Sequence, residues 1–172
     1  MSDFSPPATT PEHLCTALAE DGYAVLAPPA VAQWLGTPIA GLDALRPDWD
    51  ALPPDDYLKD GGRYRTRRHA CFVAEGDALR QVPHRAHWQP VEYNALHGGM
   101  QRWFAPMLDA TVAQPAWQQL MRSLAGAASA LRGPRPWYIE AHQFRIDTAG
   151  GIGRPTPEGA HRDGVDLSLI HI

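Results

Sequence analysis

The sequence predicts an α+β fold in which a layer of N-terminal helices backs an incomplete β-barrel or jelly roll. Helical patterns dominate the earlier part of the chain, most clearly over Gln114–Arg132, and a strand-like run over Trp137–Ile146 follows them. Segregated helices and strands are typical of α+β domains. The 172 residues, 44% of them hydrophobic, are enough for one domain with a core.

The first helix is predicted to begin at Thr10, whose hydroxyl suits an N-cap, with Pro11 in the first helical position. Gly22 ends it, because glycine adopts the left-handed conformation found at helix ends. The next predicted elements are a strand over Tyr23–Leu26, a helix over Val31–Gly36 and a second helix, broken near Pro47, over Ile39–Leu52.

The clearest upstream strand is Arg63–Ala74, which lies between Gly-Gly and Glu-Gly turns. The segment Gln81–Gln89 is its expected pairing partner, and Met100–Leu108 is expected to be helical. Apolar residues recur at helical spacing through Gln114–Arg132, which predicts a helix packed on the core. Trp137–Ile146 combines aromatic and β-branched residues with polar alternation, which favours a strand.

Composition excludes several classes of partner. A net charge of -4 and a pI near 6.0 favour neither nucleic acid nor an anionic membrane. Cys15 and Cys71 are far apart and have no metal-type spacing, which favours a reducing compartment. No signal peptide or membrane-spanning segment is evident. We therefore expect a cytoplasmic protein whose oligomeric state the sequence does not define.

The tripeptide His-Arg-Asp at 161–163 carries the most chemical information. In an extended segment, His161 and Asp163 point to the same side. An imidazole and a carboxylate are two of the three ligands in the 2-His-1-carboxylate triad that binds Fe(II). The pair alone is a weak signal, and a surface strand with a His–Asp pair is the alternative. Pro157 and Gly159 place the pair just after a turn, and Gly164 leaves room beside the ligands for a cosubstrate or O₂, which favours a site.

The last six residues, 167–172, read Leu-Ser-Leu-Ile-His-Ile. This is the in-frame translation of a transposon adapter end used in DNA library preparation, although an apolar strand is the alternative. Adapter-derived residues are excluded from fold reasoning. We therefore expect residues 1–10 to be disordered, 11–166 to form a single truncated domain, and 167–172 to be an artefact, so that His171 is no ligand.

Longer stretches are similar to a known family. The runs 142–146 and 155–164, with 60–68 and 93–99 upstream, resemble the bacterial 2-oxoglutarate/Fe(II)-dependent dioxygenases that include the free L-isoleucine hydroxylases. The similarity covers most of residues 15–166, and Pro-Glu-Gly-x-His-Arg-Asp-Gly is its most specific part. The resemblance implies a double-stranded β-helix, the jelly-roll or cupin-like barrel.

The resemblance also implies the chemistry. His161 and Asp163 would be the first two Fe(II) ligands, whereas the family's later metal histidine and its 2-oxoglutarate-binding arginine would lie beyond the end of this sequence. The complete enzyme would use O₂ and the cosubstrate 2-oxoglutarate to hydroxylate a small molecule, with a free L-amino acid as the expected substrate, and would release succinate and CO₂. A fragment with two of the three ligands is expected to be inactive.

An amino acid substrate needs a partner for its carboxylate and another for its ammonium group. The arginines of the upstream strand share one face and could bind the carboxylate. Glu140 or Asp147 could accept the ammonium group, and His142 could line the pocket. Surface salt bridges and a hydrogen-bonded core imidazole are the alternatives. The candidate substrate-binding residues are Arg63, Arg65, Arg67, Glu140 and His142.

Two other classes of function stay open at this point. The first is a non-catalytic β-barrel module that binds a small molecule or a metal without turnover. The second is a zinc hydrolase that uses His84, His87 and His161, because a His-x-x-His spacing can bind zinc on a turn. A downstream histidine and arginine in the complete gene would favour the dioxygenase.

Overall fold

The structure is a computed structural model that describes residues 6–58, 63–94, 97–151, 153 and 163–171. Within these ranges, a long helix lies between a group of short N-terminal helices and a three-stranded sheet. None of the described helices combines the length and the apolar character that a bilayer-crossing segment needs. The helices are α1 (Leu14–Glu20, after a 3₁₀ turn at Pro11–His13), α2 (Pro28–Leu35), α3 (Ala40–Asp43), α4 (Pro47–Asp50), α5 (Asp109–Val112) and α6 (Pro115–Arg132).

Helix α6 forms the centre of the hydrophobic core, and the predicted helix at this place is confirmed. A proline in its first turn and Gly133, with φ of +86°, directly after its last turn mark its two ends. Trp117, Leu120 and Met121 on its apolar face are buried. The ring of Trp117 packs against Phe72 of the sheet, with 6.2 Å between the ring centroids. This contact fixes one face of the sheet against the helix.

The sheet is antiparallel and has the order β2-β1-β3. Its strands are β1 (Arg65–Glu75), β2 (Ala78–Gln81) and β3 (Trp137–Ile146). Strand β1 pairs with β3 along almost its whole length, from Arg65 opposite Ile146 to Ala74 opposite Trp137. Side chains alternate between the two faces of a strand, so one face of this pair joins the core and the other is largely polar. The predicted strands Arg63–Ala74 and Trp137–Ile146 are both confirmed.

The second edge of β1 is covered by three separate parts of the chain. The first is the segment that ends at Asp55, and the second is the segment around Pro106. The third is β2 together with Val82, the residue after it. Each makes backbone hydrogen bonds to this edge. Backbone groups of a central strand are thereby paired on both sides, as buried backbone requires. The bonds outside β2 are Asp55 N to Arg65 O, Arg67 N to Pro53 O, His69 N to Ala105 O, Met107 N to His69 O, and Val82 N to Cys71 O.

The prediction of a helix over Met100–Leu108 is wrong. This segment is extended where it touches the sheet, because its backbone bonds to other parts of the chain instead of to itself. Arg102 exchanges two backbone hydrogen bonds with His87, and Pro106 lies in a parallel bridge with His69. Tertiary pairing therefore decides the conformation of a segment whose local sequence also suits a helix.

Two smaller predictions also need correction. The partner of β1 is Ala78–Gln81 and not Gln81–Gln89, because the chain turns back at Gly76, with φ of +55°, directly after β1 ends. Tyr23–Leu26 forms no strand, since within the described part of the chain its backbone makes one hydrogen bond to another backbone group, from Thr9 N to Val25 O. At the first helix, the Thr10 hydroxyl contacts the ring of His13 and does not cap the backbone.

Candidate active site

The polar face of the β1–β3 pair is the candidate active site. On β1 it carries every second residue, and β3 places its own alternate residues opposite them. His69 lies directly opposite His142, and Cys71 lies opposite Glu140. In a regular antiparallel pair such neighbours have Cβ atoms about 5 Å apart. The ladder therefore brings these four side chains into one small area.

Three histidines and one glutamate meet on this face. Potential metal-ligand atoms of His69, His87, Glu140 and His142 all lie within 4.8 Å of one another. His87 belongs to no strand and reaches the group from the segment whose backbone bonds to Arg102. Its Nδ1 lies 2.8 Å from Oε2 of Glu140. The arrangement is compact enough to bind a small ion or a polar group of a ligand.

The imidazole rings of this group contact one another directly. His69 and His142 are stacked, with 4.7 Å between the ring centroids and 24° between the planes. His87 meets His142 edge to face at 4.8 Å. Phe104 contacts all three rings at 6.1–6.4 Å between centroids. An apolar wall therefore borders the group, and the side chain of His69 is fully buried.

Burial keeps two of the histidines neutral. It lowers the pKa of His69 to about 4, with smaller contributions from the nearby charges of His87 and Arg67, while Glu140 opposes the shift. Burial and then the guanidinium of Arg67 also hold the pKa of His142 well below its usual value. For Glu140, burial alone would raise the pKa, but the hydrogen bond and charge of His87 bring it below the usual value. At neutral pH the site therefore combines neutral imidazoles with an ionised carboxylate.

Two of the predicted substrate-binding arginines are held by a buried carboxylate. Asp55 is buried, and its Oδ2 lies 2.7 Å from Nε of Arg65 and 3.6 Å from Nη1 of Arg67. The guanidinium of Arg67 lies 3.7 Å from the ring centroid of Phe104, and burial lowers its pKa to about 10, which leaves it charged at neutral pH. Arg63 is exposed, two residues before the start of β1.

Of the two predicted iron ligands, Asp163 is among the described residues and His161 is not. Asp163 is exposed, belongs to no strand, and accepts a hydrogen bond from Oγ of Ser168 at 2.9 Å. It lines a shallow pocket of about 410 Å³ together with the ring of Tyr93. A Cβ atom added to Gly164 would lie 2.7 Å from that ring, so the predicted free space beside this glycine is occupied by tyrosine.

Residues 167 and 168 of the predicted artefact make contacts in the structure. Leu167 packs against the hydrophobic core, and Ser168 donates the hydrogen bond to Asp163 just described. The adapter interpretation and the division into residues 1–10, 11–166 and 167–172 stay predictions.

The sequence patterns do not identify His69 as a site residue, and they group His87 with His84 and His161 as a possible zinc site. The structure brings His87 to Glu140 and His142, whereas His84 contacts the ring of Trp103. The signal for His69 is its even spacing from Arg65 and Arg67, which puts it on the same strand face. Its meeting with His142 depends on the register between two distant strands, and no local pattern encodes that register.

Residues 46–172 match the model of the family described as 2OG-Fe dioxygenase. The chain belongs to the 2OG-Fe dioxygenase family. The match includes β1, β3, the four-residue group and both predicted iron ligands. The family prediction is thereby confirmed, and no curated protein matches the chain.

Two solved structures are similar to this member of the family. A bsmA homolog from Methylobium petroleophilum PM1 matches with a TM-score of 0.86 and 49% identity, over 93% of this chain. IDO from Bacillus thuringiensis matches 80% of this chain with a TM-score of 0.59 and 15% identity, a likeness of fold alone. The chain spans 65% of the length of the first protein and 57% of the second. The predicted α+β, jelly-roll-like fold is confirmed.

The donor atoms of the site fit the cofactors that this family uses. Imidazole nitrogen and carboxylate oxygen are ligands that Fe(II) accepts, and both are present in the pair His161 and Asp163. The exposed carboxylate of Asp163 lies at a pocket, where an ion and a cosubstrate can reach it. An anionic cosubstrate such as 2-oxoglutarate also suits the arginine-rich edge of β1.

Proposed function

We propose that this chain serves in an Fe(II)- and 2-oxoglutarate-dependent dioxygenase that hydroxylates a small molecule, specifically a free L-amino acid. The observation that carries the proposal is the family match over residues 46–172, which spans the His-x-Asp motif. The 49% identity to the bsmA homolog supports a shared architecture. Fold likeness alone would not support a reaction, because one fold hosts many functions.

His161 and Asp163 are the residues that we propose to hold the iron. When bound, the iron and 2-oxoglutarate supply the oxidation: one oxygen atom of O₂ enters the substrate C–H bond as a hydroxyl, and the other enters succinate as 2-oxoglutarate loses CO₂. The third metal ligand and the arginine that binds 2-oxoglutarate are assigned to no residue of this chain.

The charges on the polar face support an amino acid substrate. Arg65 and Arg67 share the single carboxylate of Asp55, which leaves one positive charge for a substrate carboxylate. Glu140 on the same face offers a negative charge for an ammonium group. A zwitterion has the complementary pair of charges. Phe144 and Tyr138, both about half exposed on this face, offer contact for an apolar side chain.

Succinate release from the complete protein tests the reaction. We expect succinate only when Fe(II), O₂, 2-oxoglutarate and a suitable free L-amino acid are all supplied. Asp163→Ala removes a metal ligand and should lower the rate by at least about 100-fold, since losing even an outer partner of a metal ligand costs 10- to 100-fold. Glu75→Gln, at the exposed end of β1 and away from Asp163, should keep most of the activity. Succinate release that is unchanged in Asp163→Ala would contradict the proposal.

A matched pair of variants tests the substrate class. Glu140→Gln removes the negative charge with little change of shape, and should raise KM for the amino acid by about tenfold, the equivalent of 1.4 kcal/mol. Glu75→Gln removes a charge from the exposed end of β1 and should leave KM unchanged. Equal KM values for Glu140→Gln and the parent would reject the ammonium contact but not the dioxygenase.

The non-catalytic binding module is the second candidate. It is favoured by the four-residue group of His69, His87, Glu140 and His142, which offers metal ligands without including the proposed iron ligands. This candidate predicts metal binding by the complete protein with no succinate release under any combination of cosubstrates.

A further inference from the structure

We propose that His69, His87, Glu140 and His142 form a second divalent-metal site, separate in its ligands from His161 and Asp163. The site does not depend on the proposed iron ligands, but it uses the Glu140 carboxylate that we propose for the substrate ammonium group, so an ion bound here would displace that contact. It rests on four side chains of the described part of the chain that the β1–β3 register and the His87 segment bring together. Three imidazoles and one carboxylate are donors suited to Zn(II), Ni(II), Co(II) or Fe(II).

The spacing of the donors suits one ion. Metal–nitrogen and metal–oxygen bonds of about 2.0–2.2 Å place donors on opposite sides of an ion about 4.4 Å apart. The ligand atoms of the four residues lie within 4.8 Å of one another. Donor atoms this close together can share one ion after rotation of their side chains.

His69 supplies an independent sign of a missing partner. Its side chain is fully buried, and its Nδ1 has no hydrogen-bond partner among the described residues. Buried polar atoms are almost always paired, so an unpaired imidazole nitrogen calls for an explanation. A metal ion that accepts this lone pair would satisfy it. The other ring nitrogen, Nε2, lies 3.4 Å from Sγ of Cys71.

His87 and Glu140 already have the geometry of a supported metal ligand. Nδ1 of His87 donates to Oε2 of Glu140, which leaves Nε2 as the ring nitrogen that can bind an ion in exchange for any proton it carries. Metal-binding histidines usually donate their second nitrogen to a carboxylate or a carbonyl group, because this bond fixes the tautomer and the ring orientation. The second carboxylate oxygen of Glu140 can then contact the ion itself.

Arg67 opposes a cation at this place and sets the expected strength of binding. Its Nη2 donates to Nδ1 of His142, so the ring carries its proton on Nε2. His142 can bind the ion through Nε2 as a neutral ligand only when that proton is on Nδ1 instead and the bond to Arg67 is broken. The guanidinium also repels the ion, although Asp55 offsets part of its charge. We therefore expect binding of moderate affinity, because metal uptake breaks the bond between Arg67 and His142.

Co(II) titration of the complete protein tests the site, because cobalt bound to nitrogen and oxygen ligands has visible absorption bands that report its geometry. In the double variant His161→Ala/Asp163→Ala, we expect one equivalent of Co(II) to remain bound. Adding His87→Ala should weaken that binding by at least about tenfold, and Glu140→Gln should change the absorption bands. His84→Ala, a nearby histidine outside the group, should have no effect.

Two outcomes would overturn the proposal: loss of all Co(II) binding in His161→Ala/Asp163→Ala, or unchanged binding after His87→Ala is added. Far-ultraviolet circular dichroism identifies variants that fail to fold. If a His87 or Glu140 variant does not fold, the double variant His161→Ala/Asp163→Ala is loaded with Co(II) and studied by nuclear magnetic resonance instead. The ring protons of His69 and His142 should then show paramagnetic shifts, and the absence of these shifts would count against the site. Succinate release by the parent protein is measured separately, so failure of this site and failure of the proposed dioxygenase are distinguishable.

Discussion

Arg67 of β1 and His142 of β3 lie diagonally across the strand pair, and Nη2 of the guanidinium lies 2.7 Å from Nδ1 of the imidazole. A guanidinium can only donate hydrogen bonds, so Nδ1 of His142 is the acceptor. The neutral ring therefore carries its proton on Nε2. This assignment follows from the donor alone and fixes one tautomer in the centre of the polar site.

The two tautomers of the site can be read by nuclear magnetic resonance. In the metal-free protein at neutral pH, long-range ¹H–¹⁵N spectra should show an unprotonated Nδ1 for His142 and a protonated Nδ1 for His87, which donates to Glu140. The two rings serve as controls for each other in one sample. A protonated Nδ1 in His142 would show that the bond to Arg67 is absent in solution.

Asp55 is predicted to be essential for stability. It is the carboxylate that Arg65 and Arg67 share, and both guanidinium groups are buried. Asp55→Asn leaves these charges without their partner and should lower the free energy of unfolding by about 3–5 kcal/mol. Urea denaturation measures the change. Asp56→Asn, at an exposed neighbouring position, should stay within about 0.5 kcal/mol of the parent.

Acid should destabilise the metal-free protein before its carboxylates titrate. The pKa of His69 is about 4 in the folded state against 6.5 in the unfolded state, so the unfolded chain binds more protons between these values. The contribution of His69 is complete above pH 6.5 and is lost as the pH falls toward 4, by about 3 kcal/mol in total. His142 shifts in the same direction.

Urea denaturation at several pH values, with a chelator present, tests this pH dependence. His69→Gln should flatten the dependence between pH 6.5 and 4. His84→Gln should leave it unchanged, because His84 lies outside the buried group. A parent protein whose stability is constant over this interval would contradict the burial of neutral His69.

Gly164→Ala should disturb the place of Asp163. Gly164 has φ of +71°, and an added Cβ would lie 2.7 Å from the ring of Tyr93. The variant must change its backbone or displace the ring, and we expect metal affinity at Asp163 to fall by about tenfold or more. Metal titration measures the effect.

Gly126→Ala is the matched control for this glycine. Gly126 lies on the exposed side of α6, where an added Cβ meets nothing within 4 Å. Alanine is the better helix former, so the variant should gain about 0.5–1 kcal/mol in stability and keep the parent's metal affinity. If Gly126→Ala also lost metal affinity, the effect of Gly164→Ala could not be assigned to a local change beside Asp163.

The elements that sequence patterns predict well are those with long, regular periodicity. Helix α6 and strand β3 are found where spacing and residue type place them, because apolar period and local propensity agree. Met100–Leu108 was predicted as a helix and is extended, because its backbone is used by His69 and His87. Such pairing depends on tertiary contacts, which override a weak local preference.

The candidate site shows the same division. Alternation places Glu140 and His142 on one face of β3 from sequence alone. It cannot place Asp55 beside Arg65, or His87 beside Glu140, because both contacts cross from a loop to a strand. The chemistry of the residues is therefore readable in advance, whereas the partners that tune their charge and protonation require the folded chain.

Strand β1 forms backbone hydrogen bonds with segments that come before it in the sequence, beginning at Pro53, and with segments far after it, up to Ile146. During synthesis from the N-terminus, the apolar side chains around Phe72 and a bare strand edge are exposed until Trp137–Ile146 leaves the ribosome. Bringing together such distant partners carries a large loop-closure entropy and slows folding. The nascent chain thus passes through an aggregation-prone interval, and its yield should depend on chaperones that cover open strand edges.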